Sequence, residues 1–152
     1  MEILEFDKKF QELFTSMVEA SFGYVDHNKE EVDRIYIYAS CEELDTFFNV
    51  FYRINGRLVE MHKINDVSKK QYDVSDDKMF DLLDQGGELL EEVITLFQEN
   101  DREVPTLMKI TFDPKTHAFN NDIIYEPQYT NHPDRTNVDG FEEWFEEMKK
   151  EN

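Results

Sequence analysis

The sequence predicts an α+β fold in which residues 1–152 form one domain, with a mostly antiparallel sheet of about five strands packed with three helices. Strand-like segments rich in aromatic and β-branched residues flank the pair Asn55-Gly56, which favours a type I′ hairpin. Apolar residues recur with helical period in three other segments. A length of 152 residues without a long linker suits one core. The predicted order is α-β-β-β-α-β-β-α.

The first half of the chain predicts one helix and three strands. A helix over residues 3–21, ended by Gly23, follows from apolar residues at steps of three and four: Phe6, Phe10, Leu13, Phe14 and Met17. The predicted strands are residues 34–39, 46–54 and 57–64. We expect one face of the sheet to lie against helices and the other to be partly solvated.

A long second helix is predicted after a polar loop over residues 65–75, with Ser75 or Asp76 as its N-cap. Its apolar face contains Met79, Leu82, Leu83, Leu90, Val93, Ile94 and Phe97. The pair Gly86-Gly87 costs about 2 kcal/mol of helix propensity relative to two alanines. Close packing against the sheet, or a kink, would account for these glycines.

The last third of the chain predicts a second hairpin and a terminal helix. Strands over residues 106–112 and 118–125 flank a turn over residues 113–117, in which Pro114 suits the second turn position. The segment from Asp139 to Glu142 resembles a capping box. The terminal helix then has one apolar stripe, formed by Phe141, Trp144, Phe145 and Met148.

The charge is strongly acidic, with 16 Lys and Arg against 35 Asp and Glu and a net charge of −19. Such a surface repels nucleic-acid phosphates and anionic lipids and attracts basic partners, so we expect no direct binding to nucleic acid or membranes. The acidic N-terminus and short apolar runs predict neither a signal peptide nor a membrane span. Cys41 is the single cysteine, which fits a cytoplasmic location.

Residues that carry chemistry form no recognisable catalytic or metal-binding motif. The histidines lack the spacing of metal ligands, so we expect no metal and no cofactor: His27, His62, His117 and His132. Cys41 is expected to be a half-buried residue at a strand end. The enzyme hypothesis rests on Glu60 and His62, which share one face of a predicted strand. We expect the protein not to be an enzyme.

Acidic residues at helical spacing are the more informative feature. On the second helix they are Asp77, Asp81, Asp84, Glu88, Glu91 and Glu92. Solvated helices commonly pair opposite charges one turn apart, whereas like charges at this spacing repel. We therefore predict a partner-binding surface, although selection for solubility produces similar stripes. Its residues are Asp81, Asp84, Glu88, Glu91, Glu142, Glu143, Glu146 and Glu147.

Mimicry of DNA is an alternative use of the same stripes. One carboxylate per three or four residues gives charges about 5–6 Å apart along a helix axis, so two acidic helices side by side would approximate a phosphate track. The mimic would be a regulator that binds a basic DNA-binding protein. Aromatic anchors could be Tyr125, Tyr129 or Trp144, and for Trp144 packing is the favoured role.

The chain resembles the YezG-like immunity proteins, small acidic bacterial proteins encoded beside secreted toxins. The resemblance lies in the aromatic hairpin Phe47 to Ile64, the second hairpin Leu107 to Tyr125, and the closing segment Gly140 to Phe145. It implies a cytoplasmic antitoxin that binds one cognate toxin, often a nuclease, and blocks it without chemistry of its own. No catalytic residue is implied.

Overall fold

Five antiparallel strands and three α-helices make up the fold. The computed structural model describes residues 3–151, with side chains from Glu5 onward. The elements are α1 (Ile3–Tyr24), β1 (Val32–Glu42), β2 (Asp45–Ile54), β3 (Arg57–Glu60), a 3₁₀ helix (Met61–Asp66), α2 (Asp76–Glu99), β4 (Leu107–Phe112), β5 (Phe119–Ile124) and α3 (Asn137–Lys150). The sheet order is β3-β2-β1-β4-β5, with every neighbouring pair antiparallel. The predicted α+β class and element order are confirmed.

The two faces of the sheet carry two separate cores. Successive strand residues point to opposite faces, so Ile35 and Ile37 join the larger core with α1 and α2. Tyr36 and Tyr38 point the other way, into a second core with Trp144 and other residues of α3. The β4–β5 part of this second face carries polar residues, some of them exposed: Lys109, Thr111, Asn120 and Asp122. The expected solvated region is therefore confirmed there.

The predicted ends of the first helix and the third strand are wrong. Gly23 lies within the last turn of α1, and the left-handed residues that follow the helix are Asp26 and His27, with φ of 53° and 55°. The third strand ends at Glu60 instead of continuing to residue 64. Met61 and Ile64 are buried three residues apart in the 3₁₀ helix, and that spacing matches its three residues per turn.

The N-cap of α2 lies at a predicted residue, whereas the N-cap of α3 lies one turn before the predicted position. Ser75 is the N-cap of α2, and its Oγ accepts a hydrogen bond from the Lys78 backbone N–H at 3.3 Å. The predicted start of α3 was wrong by one turn. Thr136 is its N-cap, and the Asp139 carboxylate accepts a hydrogen bond from the Thr136 backbone N–H at 2.8 Å.

Close packing explains one of the two glycines in α2. A Cβ atom on Gly86 would overlap the ring of Phe48 on β2, whereas a Cβ on Gly87 would have no atom within 4 Å. Gly86 therefore lets α2 approach the sheet, while Gly87 faces open space.

This contrast predicts opposite effects of the same substitution. Gly86→Ala is expected to lower the free energy of unfolding by about 1–3 kcal/mol, because Phe48 must move. Gly87→Ala is expected to raise it by about 0.5–1 kcal/mol, because alanine is the better helix former. Urea unfolding of the two variants measures both values, and effects of equal sign would contradict the packing argument.

Candidate partner-binding surfaces

The acidic stripe of α2 is exposed, and its carboxylates form no ion pair with the described residues. α2 contains eight acidic residues and one lysine, Lys78. All four predicted partner-binding residues of this helix are exposed: Asp81, Asp84, Glu88 and Glu91. Within residues 3–151, no lysine, arginine or histidine forms an ion pair with any of these four carboxylates. We call these four residues the α2 stripe.

A groove between α1 and α2 extends this acidic surface. Its volume is about 710 Å³, and Lys9 is the one basic residue that lines it. The carboxylates along it belong to Glu12, Glu88, Glu91, Glu92 and Glu99. Leu13, Leu89 and Leu96 add apolar surface. Sequence reasoning missed Glu12, because helical periodicity does not show which residue of α1 lies opposite the exposed side of α2.

The acidic residues of α3 form a second surface with partial charge compensation. All four predicted residues are exposed: Glu142, Glu143, Glu146 and Glu147. Arg135 binds Glu143 with an Nη2 to Oε2 distance of 2.5 Å. Arg135 and Lys150 also line the shallow depression beside these carboxylates. We call the four glutamates the α3 stripe.

The two stripes lie on opposite faces of the sheet. α2 packs with α1 over the larger core, whereas α3 packs over the second core. α2 and α3 therefore do not form the pair of neighbouring acidic helices that the phosphate-track hypothesis requires. Helical periodicity gives the buried side of each helix, but strand pairing decides which face of the sheet that side covers.

The three aromatic residues considered as anchors have different surroundings. Trp144 is 5% exposed, and its ring centroid lies 5.0 Å from that of Phe51, which confirms the packing role. The Tyr129 hydroxyl donates to Asp45 at 2.5 Å, and burial together with this hydrogen bond raises the pKa of Tyr129. Tyr125 is exposed.

The residues of the enzyme hypothesis form an open pair. Glu60 ends β3 and His62 lies in the 3₁₀ helix, so the expectation that they share one strand face is wrong. Their nearest side-chain atoms are 3.8 Å apart, and both side chains are about half exposed. Cys41 lies near the end of β1 and is more buried than expected, at 8% exposure, and this burial raises the pKa of its thiol.

Residues 3–151 contain no cluster of three or more His, Cys, Asp or Glu side chains suited to a metal ion. No helix in that part of the chain is both long and apolar enough to cross a membrane.

A comparison with protein families matches residues 24–146 to the family described as "Immunity protein YezG-like". The chain belongs to this family. The matched range contains all five strands, α2 and most of α3, whereas Glu12 of the groove lies outside it. Membership in an immunity-protein family implies a toxin as partner. The comparison with curated proteins gave no match.

Two acidic residues of this YezG-like chain serve the fold instead of a partner. Glu31 is 8% exposed and Glu42 is 3% exposed. The Glu31 carboxylate accepts hydrogen bonds from the Lys69 backbone N–H at 2.5 Å and the Asn55 side chain at 3.2 Å, so it holds the segment after the 3₁₀ helix. Buried carboxylates with several donors are structural, since losing one partner leaves the others unsatisfied.

Glu31 makes stability dependent on pH. Burial alone raises the pKa of Glu31, but hydrogen bonds from Lys69, Asn55 and further donors outweigh it and lower the pKa below the ordinary 4.5. A lowered carboxylate pKa stabilises the fold above the unfolded value, and this contribution is lost as pH falls through the folded pKa.

Glu31→Gln is therefore expected to lower the free energy of unfolding by about 1–3 kcal/mol near neutral pH. The difference between variant and wild type should shrink as the pH falls below the ordinary carboxylate value. Urea unfolding at about pH 7 and about pH 4 measures it. A difference that is constant or grows in acid would contradict the role of the ionised carboxylate.

Proposed function

We propose that this YezG-like chain is an antitoxin that acts in the cytoplasm, where it binds one cognate toxin and neutralises it by occlusion, without catalysis. The observation that supports this most strongly is the α2 stripe, whose carboxylates are exposed and unpaired among the described residues. Like charges one turn apart destabilise a free helix. A basic partner would remove that repulsion on binding.

We further propose that the toxin is basic and of nuclease type. A protein surface that holds phosphates carries positive charge, and such a surface is complementary to the α2 stripe. Long-range attraction to a chain of charge −19 would accelerate association. This chemistry would allow fast inhibition of a nuclease without any reactive group in the antitoxin.

The α2 stripe is the better candidate of the two acidic surfaces. A typical specific interface covers about 800 Å² on each partner, and one compact patch cannot include opposite faces of the sheet. The groove beside α2 adds apolar contacts from Leu89 and Leu96, and interfaces gain most of their energy from packed, desolvated contacts. At the α3 stripe, Arg135 already neutralises Glu143.

Neither alternative function has comparable support from the geometry. A single stripe on α2 is sparser than duplex DNA, which carries one charge per about 1.7 Å of axis. The pair Glu60 and His62 is half exposed, whereas catalytic acids and bases are usually tuned by burial.

A titration of toxin activity tests the proposed function. The probe is the purified toxin domain encoded by the adjacent reading frame, assayed for nucleic-acid cleavage with increasing amounts of this protein. Occlusion predicts that activity disappears at one antitoxin per toxin. Absence of inhibition would contradict the proposal, and so would inactivation of many toxin molecules by one antitoxin molecule, which requires turnover.

A further inference from the structure

The hairpin between β1 and β2 has a turn that its residues disfavour. The two-residue loop Glu43-Leu44 has φ of 50° and 70°. Positive φ at both positions is the type I′ geometry, for which Asn and Gly are strongly preferred. The hairpin between β2 and β3 uses that preferred pair, Asn55-Gly56, with φ of 51° and 79°. The first hairpin therefore places a leucine in the left-handed region, at a local energetic cost.

The Leu44 side chain makes few contacts within the molecule that would offset this cost. It is 84% exposed, more than any other large hydrophobic residue in the described part of the chain. A leucine that neither packs in a core nor suits its backbone conformation is a candidate for contact with another molecule, since strained residues concentrate at functional sites.

Both strands beside the turn are held in place. The Glu42 carboxylate accepts hydrogen bonds from the Gln128 backbone N–H at 3.0 Å and the Thr130 hydroxyl at 2.8 Å. The Asp45 carboxylate accepts from the Tyr129 hydroxyl at 2.5 Å and from the Asn137 side chain at 3.0 Å. A turn between strands fixed in this way loses little backbone freedom when a partner binds it.

Leu44 also lies next to the proposed toxin-binding surface. It lines a cleft of about 350 Å³ together with Ile94 and Gln98 of α2. The other side of the same part of α2, at Glu92 and Glu99, lines the acidic groove. One partner seated along α2 can therefore contact the acidic groove and the hairpin tip together.

We infer that Leu44 is an apolar anchor that enters a hydrophobic pocket of the toxin bound at the α2 stripe. This inference rests on the proposed function and adds a specificity residue to it. In such interfaces, charged residues increase the association rate, whereas a buried anchor slows dissociation. Leu44 supplies the buried apolar contact that slows dissociation, which the exposed carboxylates do not provide.

Two single substitutions distinguish the proposed anchoring role of Leu44 from the backbone strain of the Glu43-Leu44 turn. Leu44→Gly and Glu43→Asn each introduce a residue preferred in a type I′ turn, so each is expected to raise Tm by about 2–4 °C. Leu44→Gly is expected to weaken binding of the adjacently encoded toxin domain about 10- to 100-fold, chiefly through faster dissociation. Glu43→Asn should leave the dissociation rate unchanged. Thermal unfolding and surface plasmon resonance measure these quantities.

Each other outcome has a definite meaning. If Leu44→Gly keeps wild-type affinity while charge reversal of the α2 stripe abolishes binding, the anchor is overturned and the proposed function stands. If the wild-type chain does not bind the toxin, both are overturned. If Leu44→Gly instead dissociates a dimer of this protein with unchanged toxin affinity, the leucine contacts a second copy. A lower Tm for Leu44→Gly would overturn the strain argument and with it the inference.

Discussion

Charge reversal of the α2 stripe is expected to abolish toxin neutralisation. Replacing Asp81, Asp84, Glu88 and Glu91 by Lys puts four positive charges on the surface that, in the proposal, faces the basic surface of the toxin. Like charges across an interface cost several kcal/mol, so we expect the dissociation constant to rise by about 1000-fold or more. These residues are exposed, so the circular dichroism spectrum should stay that of the wild type.

The α3 stripe offers a control with identical change in charge. Replacing Glu142, Glu143, Glu146 and Glu147 by Lys also exchanges four carboxylates for four ammonium groups, so long-range attraction to the toxin falls by a similar amount. We expect the dissociation constant to rise by about 10-fold at most, through slower association. Loss of binding in this variant but not in the α2 variant would assign the interface to α3.

Replacement of Trp144 is expected to have the largest effect on stability. Its ring contacts Phe51 and Tyr36, with centroid distances of 5.0 Å and 5.8 Å, and it holds α3 on the sheet. Trp144→Ala removes these contacts and should lower the free energy of unfolding by about 3–5 kcal/mol. Urea unfolding followed by circular dichroism measures this change.

Val138 provides the control on the same helix. It is 42% exposed, so Val138→Ala should change the free energy of unfolding by at most about 0.5 kcal/mol. If Trp144→Ala left stability unchanged but abolished toxin binding, Trp144 would be a partner anchor and the packing role would be wrong.

The elements of the fold could be predicted wherever local pattern and tertiary packing agree. Asn55-Gly56 specified its hairpin, and the helical periodicity of α2 specified its buried side. The hairpin at Glu43-Leu44 was not predictable as a tight turn, because neither residue favours positive φ. From the sequence alone, Gly86 could serve either close packing or a kink. The closeness of the Phe48 ring in the structure shows that it serves close packing.

The candidate site could be predicted only in part. Exposure of the α2 stripe followed from its position opposite the apolar residues of the helix. The separation of α2 from α3 depends on which sheet face each helix covers, and single-helix periodicity does not contain that information. Glu31 and Glu42 could not be distinguished from surface acids, since the sequence has 35 acidic residues and their burial depends on donors distant along the chain.

Hydrogen exchange of the toxin complex tests the central claim, binding along α2, most directly. We expect amides along α2 and at the β1–β2 turn to exchange more slowly in the complex than in the free protein. Amides of α3 should exchange at similar rates in both states. Protection confined to α3, with unchanged exchange along α2, would contradict the account.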